Sequence, residues 1–132
     1  MKKEVEMEEK RKILYVDDEE INVTLFKLSL RKEFEVITAS CGKDGLEILE
    51  SDPLIDVVIT DLKMPEMDGL EFIKRIKEKR ADIVCMLLTG FVEAEIMLEG
   101  FDKGLLFKYL MKPWKKERII QAIEEAFEQV SS

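Results

Sequence analysis

The sequence predicts an α/β fold: a single domain in which a parallel sheet is doubly wound, with helices on both faces. Two observations carry this. Short apolar runs alternate strictly with stretches of helical periodicity, five times over, and that alternation calls for parallel strands joined by right-handed crossovers. The chain also has 132 residues, 46% of them hydrophobic, which suits one sizeable core and leaves no room for a second domain.

Residues 1–11 read as a charged extension, frayed or loosely helical, and the domain proper as 12–130. Residues 13–16 (ILYV) form a continuous apolar run stopped by Asp17-Asp18-Glu19-Glu20, the mark of a buried strand. From residue 20 to about 32, Ile21, Leu25, Leu28 and Lys32 fall at helical spacing, with Phe26 and Leu30 widening the stripe. Residues 34–38 (FEVIT) predict a second strand, 43–51 a helix carrying Leu46, Ile48 and Leu49, and Asp52-Pro53 the turn after it. The third strand, 55–60, is rich in β-branched residues and closes on Asp61. The loop LKMPEMDG ends in Asp68-x-x-Glu71, an N-cap pattern, and a helix over about 69–80 follows with Leu70, Ile73 and Ile76 facing inward. Residues 83–88 are the most apolar strand and end at Thr89-Gly90; 92–100 give a weak helix. A fifth strand over 107–111 leads into Lys112-Pro113, and Ile119, Ile123, Ala126, Phe127 and Val130 mark a last helix from about 114 to 130.

Composition excludes several functions. With 21 basic and 29 acidic residues the net charge is -8, so no overall field draws the chain to phosphate backbones or anionic lipid. Histidine is absent, which removes Ser-His-Asp and Cys-His triads, His-ligated zinc and a phosphohistidine carrier role. Cys41 and Cys85 form neither a disulfide framework nor a CxxC metal site, which fits a reduced, cytoplasmic compartment. No segment resembles a secretory signal or the run of about 18 apolar residues that a membrane span needs.

In an open parallel sheet, ligands bind beyond the carboxyl ends of the strands. Asp17 and Asp18 follow the first strand, Asp61 the third, Thr89 the fourth and Lys112 the fifth. Crowded carboxylates call for a cation, and a hard, oxygen-seeking Mg²⁺ suits them. One carboxylate can then attack phosphorus in line, with Lys112 neutralising the equatorial oxygens and Thr89 donating to one of them. Taken singly, each residue has an ordinary reading: Asp17 and Asp18 as helix caps, Asp61 as a turn residue, Lys112 as a surface lysine, Thr89 as a strand-end hydroxyl and Tyr109 as a core or edge aromatic. Their joint fall on one rim argues otherwise.

These segments, VDDEE, ITDLKMPEMDG, LLTG and YLMKPW in that order, resemble the receiver domain of bacterial response regulators over roughly residues 12–130. The resemblance implies a flavodoxin-like sheet in the order 2-1-3-4-5 with five flanking helices. It implies Asp61 as phosphoacceptor, taking its phosphoryl group from a sensor histidine kinase in a two-component phosphorelay. Asp17 and Asp18 would hold Mg²⁺ with Asp61 and the carbonyl of Lys63, and Lys112 would pair with the phosphoryl group, followed by a cis bond to Pro113. Thr89 and Tyr109 would form a switch pair that reshapes the surface of the fourth helix, fifth strand and fifth helix for a downstream protein partner or effector domain. The side chains of Lys63 and Phe91 would border the phosphoryl group. Gly90, where the family more often has Ala, and GFDKGLLFKYLMKPW, in place of the commoner AGAxxYLxKP, depart from the pattern.

The leading function is therefore a phosphorylatable signalling module rather than an enzyme with a turning-over substrate. One alternative is a haloacid-dehalogenase-type aspartyl-phosphate phosphatase, but that class carries D-x-D after the first strand and the acids here are adjacent. Another is a phosphorylation-independent scaffold. Walker A and GxGxxG patterns are absent, which removes nucleotide hydrolysis and dinucleotide redox chemistry.

Overall fold

The computed structural model describes residues 10–91 and 93–131; the first nine residues of the charged extension and Val92, where the fourth helix is predicted to begin, lie outside the described residues. The five apolar runs become strands β1 (Lys12–Val16), β2 (Glu35–Ala39), β3 (Val57–Thr60), β4 (Val84–Thr89) and β5 (Lys108–Met111). Between and after them come helices α1 (Glu20–Leu30), α2 (Gly42–Ser51), α3 (Gly69–Lys79), α4 (Ala94–Asp102) and α5 (Lys116–Ser131). All neighbouring strands are parallel, in the order β2-β1-β3-β4-β5, so the fold matches expectation.

The strands are apolar on both faces because each face is covered. Ile13, Tyr15, Ile59, Met86 and Leu88 pack on one side with Phe26 and Leu30 of α1 and with Ile119, Ile123 and Phe127 of α5. Leu14, Val16, Val58, Cys85 and Leu87 pack on the other with Leu49 of α2 and Leu70, Phe72, Ile73 and Ile76 of α3. Asp68 caps α3, its Oδ1 accepting from Glu71 N at 2.8 Å, as the Asp-x-x-Glu pattern predicts.

Element ends differ by one or two residues from the prediction, most at α4, which starts at Ala94 and continues past Gly100 to Asp102. The predicted face of α1 needs correction. Ile21, Leu25 and Leu28 are exposed at 66%, 53% and 53%, Lys32 lies beyond the helix, and the buried residues are Phe26 and Leu30, with Val23 packed beside them. Two apolar stripes share this helix, and Phe26 wins the core because its ring lies flat on Tyr15, centroids 4.0 Å apart.

Candidate functional site

Sheet register assembles the site. Val16 pairs with Thr60, Thr60 with Leu87, and Thr89 with Met111, so Asp17, Asp61, Thr89 and Lys112 arrive at one rim. Backbone bonds fix the junctions: Asp61 N donates to Val16 O at 2.9 Å and Lys112 N to Thr89 O at 2.9 Å. The Lys112–Pro113 peptide is cis, as expected.

Carboxylate oxygens of Asp17, Asp18 and Asp61 lie within 4.8 Å of one another. Asp17, Asp61 and Thr89 are buried while Asp18 is exposed, so the cluster is open to solvent on one side. A groove of about 700 Å³ between α1 and α2 opens beside Asp17 and Asp18. Lys112 Nζ stands 3.0 Å from Asp17 Oδ2 and 3.7 Å from Asp61 Oδ2, a single ammonium serving two buried carboxylates. Asp61 Oδ1 also accepts from Leu62 N at 2.8 Å. Burial raises the pKa of Asp61 above its usual value and the Asp17 charge adds to this, against the opposing pull of Lys112, the Leu62 N–H and the Thr89 hydroxyl.

Asp17 does not cap α1; Glu19 holds the N-cap position. Instead, Asp17 Oδ1 accepts from Glu19 N at 3.0 Å, and its Oδ2 takes the Tyr15 hydroxyl at 2.7 Å and Asn22 Nδ2 at 3.2 Å besides Lys112. Four donors hold one carboxylate in a single orientation, three on Oδ2 and one on Oδ1, which leaves Oδ1 the oxygen with room for a ligand.

The far wall comes from the loop after β4. Thr89 Oγ1 accepts from Phe91 N at 3.3 Å, and the Tyr109 hydroxyl donates to Phe91 O, so the expected switch pair meets through one residue's backbone. Lys63 turns its ammonium to Glu93 and over the Phe91 ring, 5.6 Å from the centroid. Gly69, the first residue of α3, is required by close approach: a Cβ there would sit 2.2 Å from the Asp61 carbonyl oxygen.

Asp17, Asp18, Asp61, Thr89 and Lys112 therefore meet at this rim, with Tyr109, Phe91 and the Lys63 ammonium joined to it through the loop after β4. Reading the sequence missed Tyr15, Asn22, Gly69 and Glu93. Tyr15 could have been found, since residues two apart on a strand share a face and its hydroxyl is the one polar group in ILYV; Glu93 gave no signal.

The description that matches this chain is that of the response regulator receiver domain, over residues 13–124. The chain is 31% identical over 114 residues to the hydrogenase transcriptional regulatory protein HoxA of Bradyrhizobium diazoefficiens, covering 86% of this chain but 23% of that protein. It is similar to the solved receiver domain protein of Clostridium thermocellum, with 34% identity, TM-score 0.84 and coverage of 89% and 94% of the two chains. The signal receiver domain of an HD domain-containing protein from Pseudomonas fluorescens Pf-5 gives 27% identity, TM-score 0.86 and coverage of 93% and 99%. The chain spans about a quarter of the first curated relatives it matches.

Proposed function

The chain belongs to the response regulator receiver family, and from that premise we propose that it is a phosphorylatable switch with Asp61 as acceptor. A carboxylate oxygen of Asp61 attacks the phosphorus of a kinase phosphohistidine, the P–N bond breaks, and the imidazole departs with the electron pair. The observation that carries this reading is the convergence of Asp17, Asp18 and Asp61 within 4.8 Å, with the Lys112 ammonium beside Asp17 and Asp61.

Three clustered carboxylates with one lysine beside two of them fit a hard divalent cation, which Asp17, Asp18 and Asp61 would hold together with the Lys63 carbonyl that the family resemblance implies. Bound Mg²⁺ would supply charge neutralisation and orientation to the transferring phosphoryl group. Asp17 is fixed in advance by its four donors, and Lys112, already between Asp17 and Asp61, can turn to an equatorial phosphoryl oxygen. Thr89, buried at the end of β4, donates to another oxygen. Because Thr89, Phe91 and Tyr109 are linked, that new bond biases Tyr109 and the surface of α4, β5 and α5 that a downstream partner or effector domain reads.

The chain itself turns over no separate substrate in this reading. Its charge of -8 disfavours direct contact with nucleic acid, so a transcriptional output would belong to another domain or partner. We place it in the cytoplasm on its free thiols, Cys41 and Cys85; among the described residues no helix is long and apolar enough to cross a membrane.

The test is intact mass after incubation with acetyl phosphate. The expected result is a Mg²⁺-dependent, base-labile gain of one phosphoryl group that Asp61→Asn abolishes. Labelling that persists in Asp61→Asn overturns the assignment, and absence of labelling by both acetyl phosphate and a phosphorylated histidine kinase favours a scaffold.

A further inference from the structure

A cavity of about 280 Å³ lies between the second half of α2 and the end of α3. Ile83, which lines it, precedes β4 while Thr89 closes that strand, so the cavity is at the end of the sheet opposite the acid cluster. Its walls are aliphatic: Leu46 and Leu49 from α2, Ile76 from α3, and Ile83. Leu49, Ile76 and Ile83 are buried.

Arg80, the C-cap of α3, also lines the cavity. Its Nη2 donates to Asp56 Oδ1 at 3.1 Å and to Asp82 Oδ2 at 3.2 Å, while its Nη1 is buried and has no hydrogen-bond partner among the described residues. A buried donor left unmatched is costly, the more so on a charged group, and native proteins match the great majority of them. Water is a poor match here, because an ordered water needs roughly two to four polar partners and these walls are aliphatic. An anion is a poor match too. Arg80 already faces the carboxylates of Asp56 and Asp82, and Glu50 stands 4.0 Å from Lys79 at the exposed side, so the charges around the cavity are balanced within the protein. What fits is a single uncharged acceptor on an apolar body. Small-molecule sites begin at roughly 300 Å³, so that body is small.

We propose that this cavity is a binding site for a small uncharged carbonyl compound, an amide, ester or ketone, whose apolar body packs on Leu46, Leu49, Ile76 and Ile83 while its oxygen accepts from the Arg80 guanidinium. The Arg80 side chain is 25% exposed, which leaves it the freedom to turn Nη1 to that oxygen. No residue around Asp61 takes part.

An NMR titration of the full chain, read on its Leu and Ile methyl groups, decides it, with phenylacetamide as the probe and toluene and phenylacetate as comparators. Phenylacetamide should shift the methyls of Leu46, Leu49, Ile76 and Ile83 to saturation with a Kd of about 1 mM, leaving Leu30 and Ile59 on the other face of the sheet unmoved. Toluene, which lacks the acceptor, and phenylacetate, which adds a charge, should each bind about tenfold more weakly. Arg80→Lys keeps the charge and removes Nη1, and should bind the amide no better than toluene. Leu46→Phe fills the cavity and should bind neither, its unchanged Leu30 and Ile59 methyls showing an intact fold. Unmoved cavity methyls with phenylacetamide overturn the proposal, as does equal binding of toluene or an undiminished affinity in Arg80→Lys. Tighter binding of phenylacetate overturns the uncharged class.

Discussion

The Tyr15 hydroxyl donates to Asp17 Oδ2 across 2.7 Å, from two residues earlier on the same face of β1. Its ring is fully buried and stacked on Phe26, so the core side chain that anchors α1 also aims the first acid of the site. Core packing and site geometry are one structure here.

Tyr15→Phe keeps the stacking and removes the hydroxyl. A hydrogen bond to a charged group contributes about 1.5–3 kcal/mol, so chemical unfolding should show a loss of that order. Burial and the Asp17 carboxylate raise the Tyr15 pKa far above its ordinary 10.0. A raised folded pKa gives stability that is complete below the unfolded value and lost above it. The gap between wild type and Tyr15→Phe should therefore hold constant from neutral pH up to pH 10.0 and narrow above it. A loss absent at neutral pH would show that the hydroxyl bond does not hold Asp17.

Asp61 poses the opposite case to an ordinary salt-bridged acid. Burial raises its pKa, so its ionised form is a cost to the fold that disappears as pH falls below the ordinary carboxylate value of 3.8. In the absence of divalent cations, Asp61→Asn should unfold at a higher temperature than wild type at neutral pH. The advantage should shrink steadily toward acid. An advantage independent of pH would point to packing rather than charge.

How legible was all this from sequence? The alternation of apolar runs and helices was enough for the sheet, because a parallel strand buried on both faces reads as a continuous hydrophobic run. Acids that directly follow such runs were legible for the same reason: Val16 and Thr60 pair, so Asp17 and Asp61 must meet. The inward face of α1 was not, since Ile21, Leu25 and Leu28 are as periodic as the Phe26 and Leu30 that the core uses. Periodicity counts apolar positions without weighing which shape fits Tyr15. Glu93 was hidden because its link to Lys63 joins two loops 30 residues apart and follows no spacing rule.

Gly69 makes a sharper structural prediction. A Cβ at that position would meet Asp61 O at 2.2 Å and Leu87 Cδ2 at 2.8 Å, and the first of these is backbone that cannot swing away. Gly69→Ala should cost about 1–3 kcal/mol of stability, the range for overpacking a tight core. Because the displaced atom belongs to Asp61, acetyl phosphate labelling should slow as well. Gly90→Ala, with nothing within 4 Å of its Cβ, serves as the control and should leave stability within about 0.5 kcal/mol.

Lys112→Ala separates acceptance from response. The acceptor carboxylate remains, so labelling by acetyl phosphate should persist, though slower without the ammonium now 3.7 Å away. Trp114, the only tryptophan, lies two residues further on and packs edge-on to Phe26, centroids 5.7 Å apart. Its fluorescence should change on labelling of wild type and change much less in Lys112→Ala. An undiminished change would mean that Lys112 takes no part in the response.

The two cysteines report on the sheet independently of any phosphoryl chemistry. Cys85 lies inside β4 at 1% exposure, and burial pushes its thiol up to about 12, while Cys41 is half-buried just before α2. Only thiolate reacts with a disulfide reagent, so the native protein at neutral pH should titrate one thiol promptly and a second after denaturation. Reaction at Cys85 requires β4 to open, and β4 pairs with strands on both sides. Its slow rate should therefore follow global unfolding, falling as stability rises when denaturant is withdrawn. Prompt reaction of both thiols in the native protein would contradict a sheet closed over Cys85, and a Cys85→Ser chain identifies which thiol is responding.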